Sequence, residues 1–335
     1  MNILVIGKPT LDYIVSLEEF PKETDKFIID NSIKTMNNFT EIVSVLLSLY
    51  GCNVNYTGVI GEDDVGNKIR KILESYNINT KYIETSYEES TCVNYKIYNR
   101  KNNTFTNIFQ NSIKNNLIKY KYDFEPNIVI MDDGDYNANM AAINNYPNSK
   151  LIYIGTKYTT GSNVYLNKCK YVIANTNFIT NATGVYKNLD KPKVVVSMFQ
   201  KFIDMYNTNI IVKLDNFDIL YVVDDEVRII KNINKNLKNK DNVYLSVLCY
   251  FLAITDNIEL SIKYTNKVML ESNNDIDMIN NIPSKNNIDN ILNSNNVKND
   301  NIEVFDNTNM SDKEENNNEL WSFFKYITCY WFTWF

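Results

Sequence analysis

The chain contains no histidine. That removes the side chain that most often serves as a general base near neutral pH, and also the commonest metal ligand. Its five cysteines, Cys52, Cys92, Cys169, Cys249 and Cys329, are scattered, odd in number and free of any C-x-x-C spacing. They read as buried thiols in a reducing compartment, so the expected location is cytoplasmic. No cluster of Cys, His or Asp has metal-ligand spacing, and no metal site is expected from the residues themselves. Positive charge is in deficit: the net charge is −6 and the pI near 5.0, which speaks against a nucleic-acid partner. Glycine is also scarce, at nine in 335 residues, where an average chain of that length holds about 7%. All nine lie at or before Gly184. Compositional drift toward Asn, Lys, Ile and Tyr would explain the shortage, but drift should spare a glycine whose backbone is needed for catalysis.

What is present is an alternation of short apolar runs and helix-length amphipathic runs. Asn2 to Gly7 (NILVIG) reads as a buried first strand that follows no signal peptide, with Asp12 just beyond its C-terminal end. Thr40 to Tyr50 is a striped helix capped by Gly51, and Val54 to Ile60 the next strand. Gly61 and Gly66 bracket an acidic turn at the start of a helix with Ile69, Ile72 and Leu73 on one face. Further strands are expected at Asn127–Met131, Leu151–Ile154, Tyr171–Ala174 and Ile210–Val212, and a hairpin at Ile219–Val223 with Val227–Ile230. Helices are expected at Asn137–Asn145, Val194–Tyr206, Val243–Ala253, Ile258–Leu270 and Pro283–Leu292. Such alternation predicts an α/β fold with a mostly parallel central sheet covered on both faces. Segments at about 13–36 and 91–109, polar on one face, predict a small β lid. Residues 294–318 are Asn-rich and charged and read as a disordered linker, ending in an aromatic tail at 319–335.

The stretch from Asn236 to Ala253 places a polar loop (NLKNKDN) directly before an apolar helix. Free backbone N–H groups and the helix dipole make such a junction an anion site. A phosphate-cradling loop normally needs glycine for close backbone approach, and this loop has none.

The order of these motifs resembles the ribokinase-like (PfkB-type) carbohydrate kinases over residues 1–293. GVIGEDDVGNKIRKILESYNINTKYI (Gly58 to Ile83) is similar to that family's G-x-(V/I)-G-x-D-x-x-G signature, and ANTNFITNATG (Ala174 to Gly184) to its N-x-x-E-A-x-x-L-T-G segment. Gly7 followed by Asp12 resembles its first strand and sugar-hydroxyl aspartate. The resemblance implies a three-layer α/β sandwich with a β lid, binding ATP and magnesium and transferring the γ-phosphate to a sugar or nucleoside hydroxyl. It also implies a homodimer formed through the lid strands, Asp12 to Met36.

The departures concentrate on the chemistry. Asn37 and Asn38 stand where the family has its sugar-gripping glycine pair, with Ile42 near its following asparagine. Phe178 stands for the magnesium-organising glutamate, although Asn175 is kept. Lys213 to Asp218 replaces the T-L-G-x-x-G nucleotide turn, and Asn239, Lys240, Asp241 and Asn242 replace the G-A-G-D anion hole and base. An asparagine cannot accept the hydroxyl proton as a carboxylate does. The expectation is therefore a catalytically inactive homologue, a scaffold or ligand-binding module. The alternative is an active sugar or nucleoside kinase with Asp241 as base and Lys240 as anion donor. Asp12 is either a sugar-hydroxyl acceptor or a turn residue, Asn175 a cofactor contact or a structural remnant, and Asp63 with Asp64 a signature acid or, better, a helix cap. The tail at 319–335 reads as a membrane-interface anchor or a protein-docking peptide, or else as a segment folded onto its own domain or under no selection.

Overall fold

The computed structural model describes residues 1–29, 32–102, 104–110, 121–159, 161–186, 192–206, 209–215, 217–223, 226–231, 237, 240–273, 275–293 and 302–305. In chain order the first elements are β1 (Asn2–Ile6), β2 (Thr10–Leu17), β3 (Ile33–Thr35), α1 (Phe39–Leu49), β4 (Asn53–Gly61), α2 (Asp64–Ser75), β5 (Asn79–Ser86), β6 (Cys92–Asn99) and β7 (Thr104–Gln110). Then come β8 (Ile128–Met131), α3 (Tyr136–Asn145), β9 (Lys150–Gly155), α4 (Ser162–Lys168), β10 (Tyr171–Asn175), α5 (Thr176–Thr183), α6 (Pro192–Met205) and β11 (Ile210–Lys213). The last are β12 (Ile219–Val223), β13 (Glu226–Ile230), α7 (Asp241–Thr255), α8 (Ile258–Met269), a 3-10 turn at Met278–Asn281, α9 (Lys285–Asn293) and β14 (Ile302–Phe305).

Ten strands form one sheet in the order β14-β13-β12-β11-β10-β9-β8-β1-β4-β5. From β11 to β5 every pairing is parallel, while β12, β13 and β14 continue the sheet antiparallel. Parallel strands are buried on both faces, which is why they read as continuous apolar runs such as NILVI and IVIM. Within β1, Ile3 and Val5 pack against α1, α2, α7, α8 and α9, whereas Leu4 and Ile6 face the side covered by α3, α4, α5 and α6. The result is the expected three-layer α/β sandwich. Helix α7 is its most enclosed element, with every residue from Val243 to Leu252 buried; a helix apolar all round must sit inside the fold. Gly51 takes a φ of 88° just past α1, the left-handed conformation a helix-ending glycine supplies.

The second sheet runs β3-β2-β6-β7, with β2 and β6 parallel and the outer pairs antiparallel. It begins at Thr10, earlier than the polar pattern suggests, so Asp12 lies inside β2 and not in a loop after β1. Only residues 7–9 separate β1 from β2, so the small sheet is rooted at the C-terminal end of β1. Strand β1 sits between β4 and β8, where the strand order reverses. In open α/β sheets this is where ligands bind.

Three elements depart from the expectation. Helices α4 and α5 are short and carry weak periodicity, seven and eight residues each. Strand β14 falls inside the segment read as a disordered linker: Ile302–Phe305 pairs antiparallel with β13. An edge strand needs only one backbone partner, so four residues of β-prone sequence suffice within an otherwise polar stretch. The aromatic tail at 319–335 lies outside the described residues, as does the rest of 294–318.

At the end opposite the strand-order reversal, Asp256 ties the sheet to α7. Its carboxylate meets Lys170 at 2.5 Å, Lys150 at 2.9 Å and the Tyr171 hydroxyl at 2.9 Å, and Lys150 also donates to the Ala253 carbonyl at 3.0 Å. Hydrogen bonds from Lys170 and Lys150 hold the Asp256 carboxyl well below the usual carboxylate range. A depressed folded-state pKa contributes stability above the unfolded value and loses it as pH falls. Because the side chain is half exposed, Asp256→Asn should cost only about 1 kcal/mol at pH 7. Urea unfolding should show that difference shrinking toward pH 3.

Candidate functional site

Helix α7 begins at Asp241, against the loop that precedes α1. Asn242, in its first turn, donates from Nδ2 to the Asn37 carbonyl at 2.5 Å. Asn37 is 1% exposed; its Oδ1 accepts from the Met278 N–H at 3.1 Å, and its Nδ2 has no hydrogen-bond partner among the described residues. Asp241, one residue earlier, pairs instead with Lys213 at the end of β11, Nζ to Oδ1 2.7 Å. Consecutive residues on a helix point about 100° apart, so the asparagine faces the loop before α1 and the carboxylate faces β11. The Lys213 ammonium is almost wholly buried and lies 4.3 Å from the centre of the Phe217 ring. Lys240 does not stand as a free anion donor. Its side chain is buried, and Nζ donates to Ser272 Oγ at 3.1 Å and to the Ser272 carbonyl at 3.4 Å. Burial lowers its pKa. Lys238 and Asn239 lie outside the described residues.

After β11 the chain turns through Leu214 and Phe217 to Asp218, with Phe217 N donating to the Leu214 carbonyl and Leu214 N to the Asp218 carbonyl, both at 2.9 Å. Phe217 adopts φ 65° without being glycine, a strain of about 1 kcal/mol. Its ring packs edge-on against Tyr244 of α7, centroids 5.5 Å apart. The turn is thus filled by its own side chains.

Asp12 is completely buried. In register it neighbours Thr35 on β3 and Asn94 on β6. Asn94 Nδ2 donates to its Oδ1 at 3.1 Å, and Lys96 Nζ stands 2.5 Å from its Oδ2. The lysine contact is one of charge, since Oδ2 receives no well-directed hydrogen bond among the described residues. Beneath it, Glu41 of α1 accepts from Thr10 N at 2.6 Å and Asn38 N at 3.1 Å. Burial pushes the Glu41 carboxyl well above the ordinary range against those hydrogen bonds, and the nearby charges of Asp12 and Asp132 push the same way.

A profile describing the pfkB family carbohydrate kinases matches residues 43–238, more than half of the chain. The chain belongs to the pfkB family. Among curated proteins, it is 31% identical over 101 residues to "Bifunctional protein HldE" of Campylobacter concisus, a match spanning 29% of this chain and only 21% of that protein. Among solved structures, Arabidopsis thaliana ribokinase complexed with ribose and ATP superposes with a TM-score of 0.69 at 12% identity, covering 87% of this chain and 98% of that one. Cryptococcus neoformans ribokinase in complex with ADP gives 0.68 at 13% identity, over 86% and 98% of the two chains. The Methanocaldococcus jannaschii nucleoside kinase gives 0.64 at 16%, over 87% and 97%. At these identities the structures speak for the fold, which is that of the ribokinases.

Within this pfkB-family frame, Phe178 at the family's glutamate position is wholly buried among Tyr153, Tyr158 and Phe202. A Cβ on Gly155 would come within 2.6 Å of its ring, so a glycine makes room for it. Asn175 caps α5 by accepting from the Phe178 N–H at 2.8 Å. Asp63 caps α2, accepting from Gly66 N and from Thr91 N and Oγ1, each at 2.7 Å. Burial raises its pKa, but those hydrogen bonds prevail and leave it lowered. Lys96, Glu41 and Asp132 were not legible as site residues from the sequence, and Lys213 was legible only as the start of the altered nucleotide turn. Their partners are distant along the chain, and only Asp132, directly after a buried strand, carried a local signal. Half-buried at the end of β8, Asp132 is raised to about 7 by burial and by Asp133 and Asp135, against a hydrogen bond from Gly134 N. Among the described residues, no group of three or more His, Cys, Asp or Glu is arranged to hold a metal ion, and no helix is long and apolar enough to cross a membrane.

Two outcomes follow for the pfkB-family core. Phe178→Glu, which restores the family residue, should destabilise the fold by about 3–5 kcal/mol, the range for emptying a large aromatic site, as read by denaturant melts. Glu41 and Asp132 have folded pKa values above their unfolded ones, so the unfolded chain ionises first and stability declines as pH rises from about 4. The Asp132 share of that decline ends near its pKa of about 7. Asp132→Asn should flatten this slope and raise Tm at pH 8 by about 2–4 °C.

Proposed function

We propose that this pfkB-family chain performs no phosphoryl transfer and acts as a ligand-binding or scaffold module built on the kinase fold. The observation that carries this reading is Asn242, held against the Asn37 carbonyl at 2.5 Å where the resemblance puts the catalytic base. A base must sit within hydrogen-bond reach of the proton it removes and be able to accept it; an amide that donates its N–H to a backbone carbonyl does neither. The competing reading, an active sugar or nucleoside kinase using ATP and magnesium with Asp241 as base, meets two obstacles. Asp241 is paired with Lys213, and Phe178 supplies no carboxylate to organise a metal. Asn175 is engaged as a helix cap and Lys240 with Ser272, so neither is set to grip a nucleotide.

A cytoplasmic location and pairing of two copies through the small sheet accompany this reading as further proposals. The tail at 319–335 is proposed as the contact to a protein or membrane interface.

The test is an ADP-release assay on the full chain with ATP, magnesium and a panel of sugars and nucleosides, alongside calorimetry with ATP. The expected result is no turnover above background and no heat at millimolar ATP. Turnover that disappears in Asp241→Ala would establish the kinase reading instead.

A further inference from the structure

We infer that Lys96 acts as an in-chain occupant of the Asp12 carboxylate and thereby closes the root of the small sheet to neutral polyhydroxylated ligands. The inference rests on the ligand-module reading above and concerns which ligands that module admits.

A carboxylate with no exposed surface needs a counter-charge or several hydrogen bonds. Asp12 has one well-formed side-chain hydrogen bond, from Asn94 Nδ2 to Oδ1 at 3.1 Å. Its other oxygen faces the Lys96 ammonium at 2.5 Å without good hydrogen-bond geometry. The lysine therefore neutralises the charge and leaves lone pairs of Oδ2 poorly used. Two hydroxyl donors of a polyol would use them better, since directed O–H donors to a carboxylate are short and strong.

Lys96 reaches Asp12 from two residues along the neighbouring strand: Asp12 opposes Asn94, and Ile14 opposes Lys96. No rearrangement of the fold is needed to make the contact, and the side chain is mostly buried when it does so. A neutral ligand must then displace an ammonium from a buried carboxylate and leave that ammonium in need of a partner. Nearby orphan polar atoms reinforce the picture. Among the described residues, Asn94 Oδ1 and Asn37 Nδ2 are also buried without hydrogen bonds, so this region retains unfilled polar capacity while the Asp12 carboxylate is taken. Buried polar atoms without partners are uncommon in native proteins.

Removal of the lysine charge should convert the site from closed to receptive. Calorimetry and thermal shift would be run on the full chain with D-ribose and adenosine as probes. Wild type and Lys96→Arg, which keeps the charge, should show no binding at 10 mM (on the order of a very weak Kd). Lys96→Met and Lys96→Gln should bind at least one probe about tenfold or more tighter than wild type. Their melting temperatures should fall without ligand and recover with it. The gain should vanish in Lys96→Met combined with Asp12→Asn. Lys96→Gln keeps a polar group at the site and guards against failure of the methionine variant to fold. Equal binding by wild type and the neutral variants overturns the inference, and so does absence of binding in folded neutral variants. Neither result touches the non-catalytic reading, which fails only if the wild-type chain turns over ATP.

Discussion

A helix that begins inside a protein leaves backbone N–H groups and a positive dipole end that call for negative charge. Helix α7 is enclosed from Val243 to Leu252, while Asp241 in its first turn is half exposed. In a phosphoryl-transfer enzyme the anion is supplied by the reacting phosphate and the developing charge. Here the chain supplies its own: Asp241 stands in the first turn, and Lys213 balances it from the end of β11. Asp241 and Lys213 thus pair across the junction, and the turn after β11 packs Phe217 against Tyr244.

The other departures come in matched sets. Phe178 fits because residue 155 has no side chain to obstruct its ring, and Tyr158 and Phe202 pack its edges. Asn37 brings a side chain where the resemblance has glycine; the Met278 N–H donates to its Oδ1, while Asn242 donates to its backbone carbonyl. Asp12 keeps its charge and gains Lys96. A buried group left without a partner costs about 1–3 kcal/mol, and more when charged, so losses of this kind tend to persist only where neighbours compensate. Phe178 with Gly155 is an example of such compensation.

Much of the fold could be read from the sequence because its signals are local. Buried parallel strands such as NILVI and IVIM need no partner to be recognised, and Gly51 and Asp63 mark helix ends within a few residues. Helix α5 escaped notice because eight residues give hardly two turns of periodicity, and β14 because a sheet edge can recruit a short stretch of polar linker. At the site, the missing groups and the residues standing in their places were legible from motif position, whereas the partners of those residues were not. Lys96 lies 84 residues from Asp12, and Lys213 lies 28 from Asp241; ion pairing across such separations depends on strand register and helix start, which no local pattern encodes.

The paired charges also bear on the shortage of glycine. Glycine at an anion hole is justified by close backbone approach to a ligand, since elsewhere its extra chain entropy destabilises the fold by about 0.5–1 kcal/mol. At this junction Asp241 and Lys213 supply paired charges from side chains. Phe217 holds a left-handed conformation at a cost, but it recovers packing against Tyr244 and a cation contact with Lys213 that glycine could not make. The glycine that Gly155 provides is retained for the opposite reason, because the Phe178 ring occupies the space of its Cβ. Gly51 and Gly184 are kept on different ground, since both hold left-handed backbone, with φ of 88° and 73°.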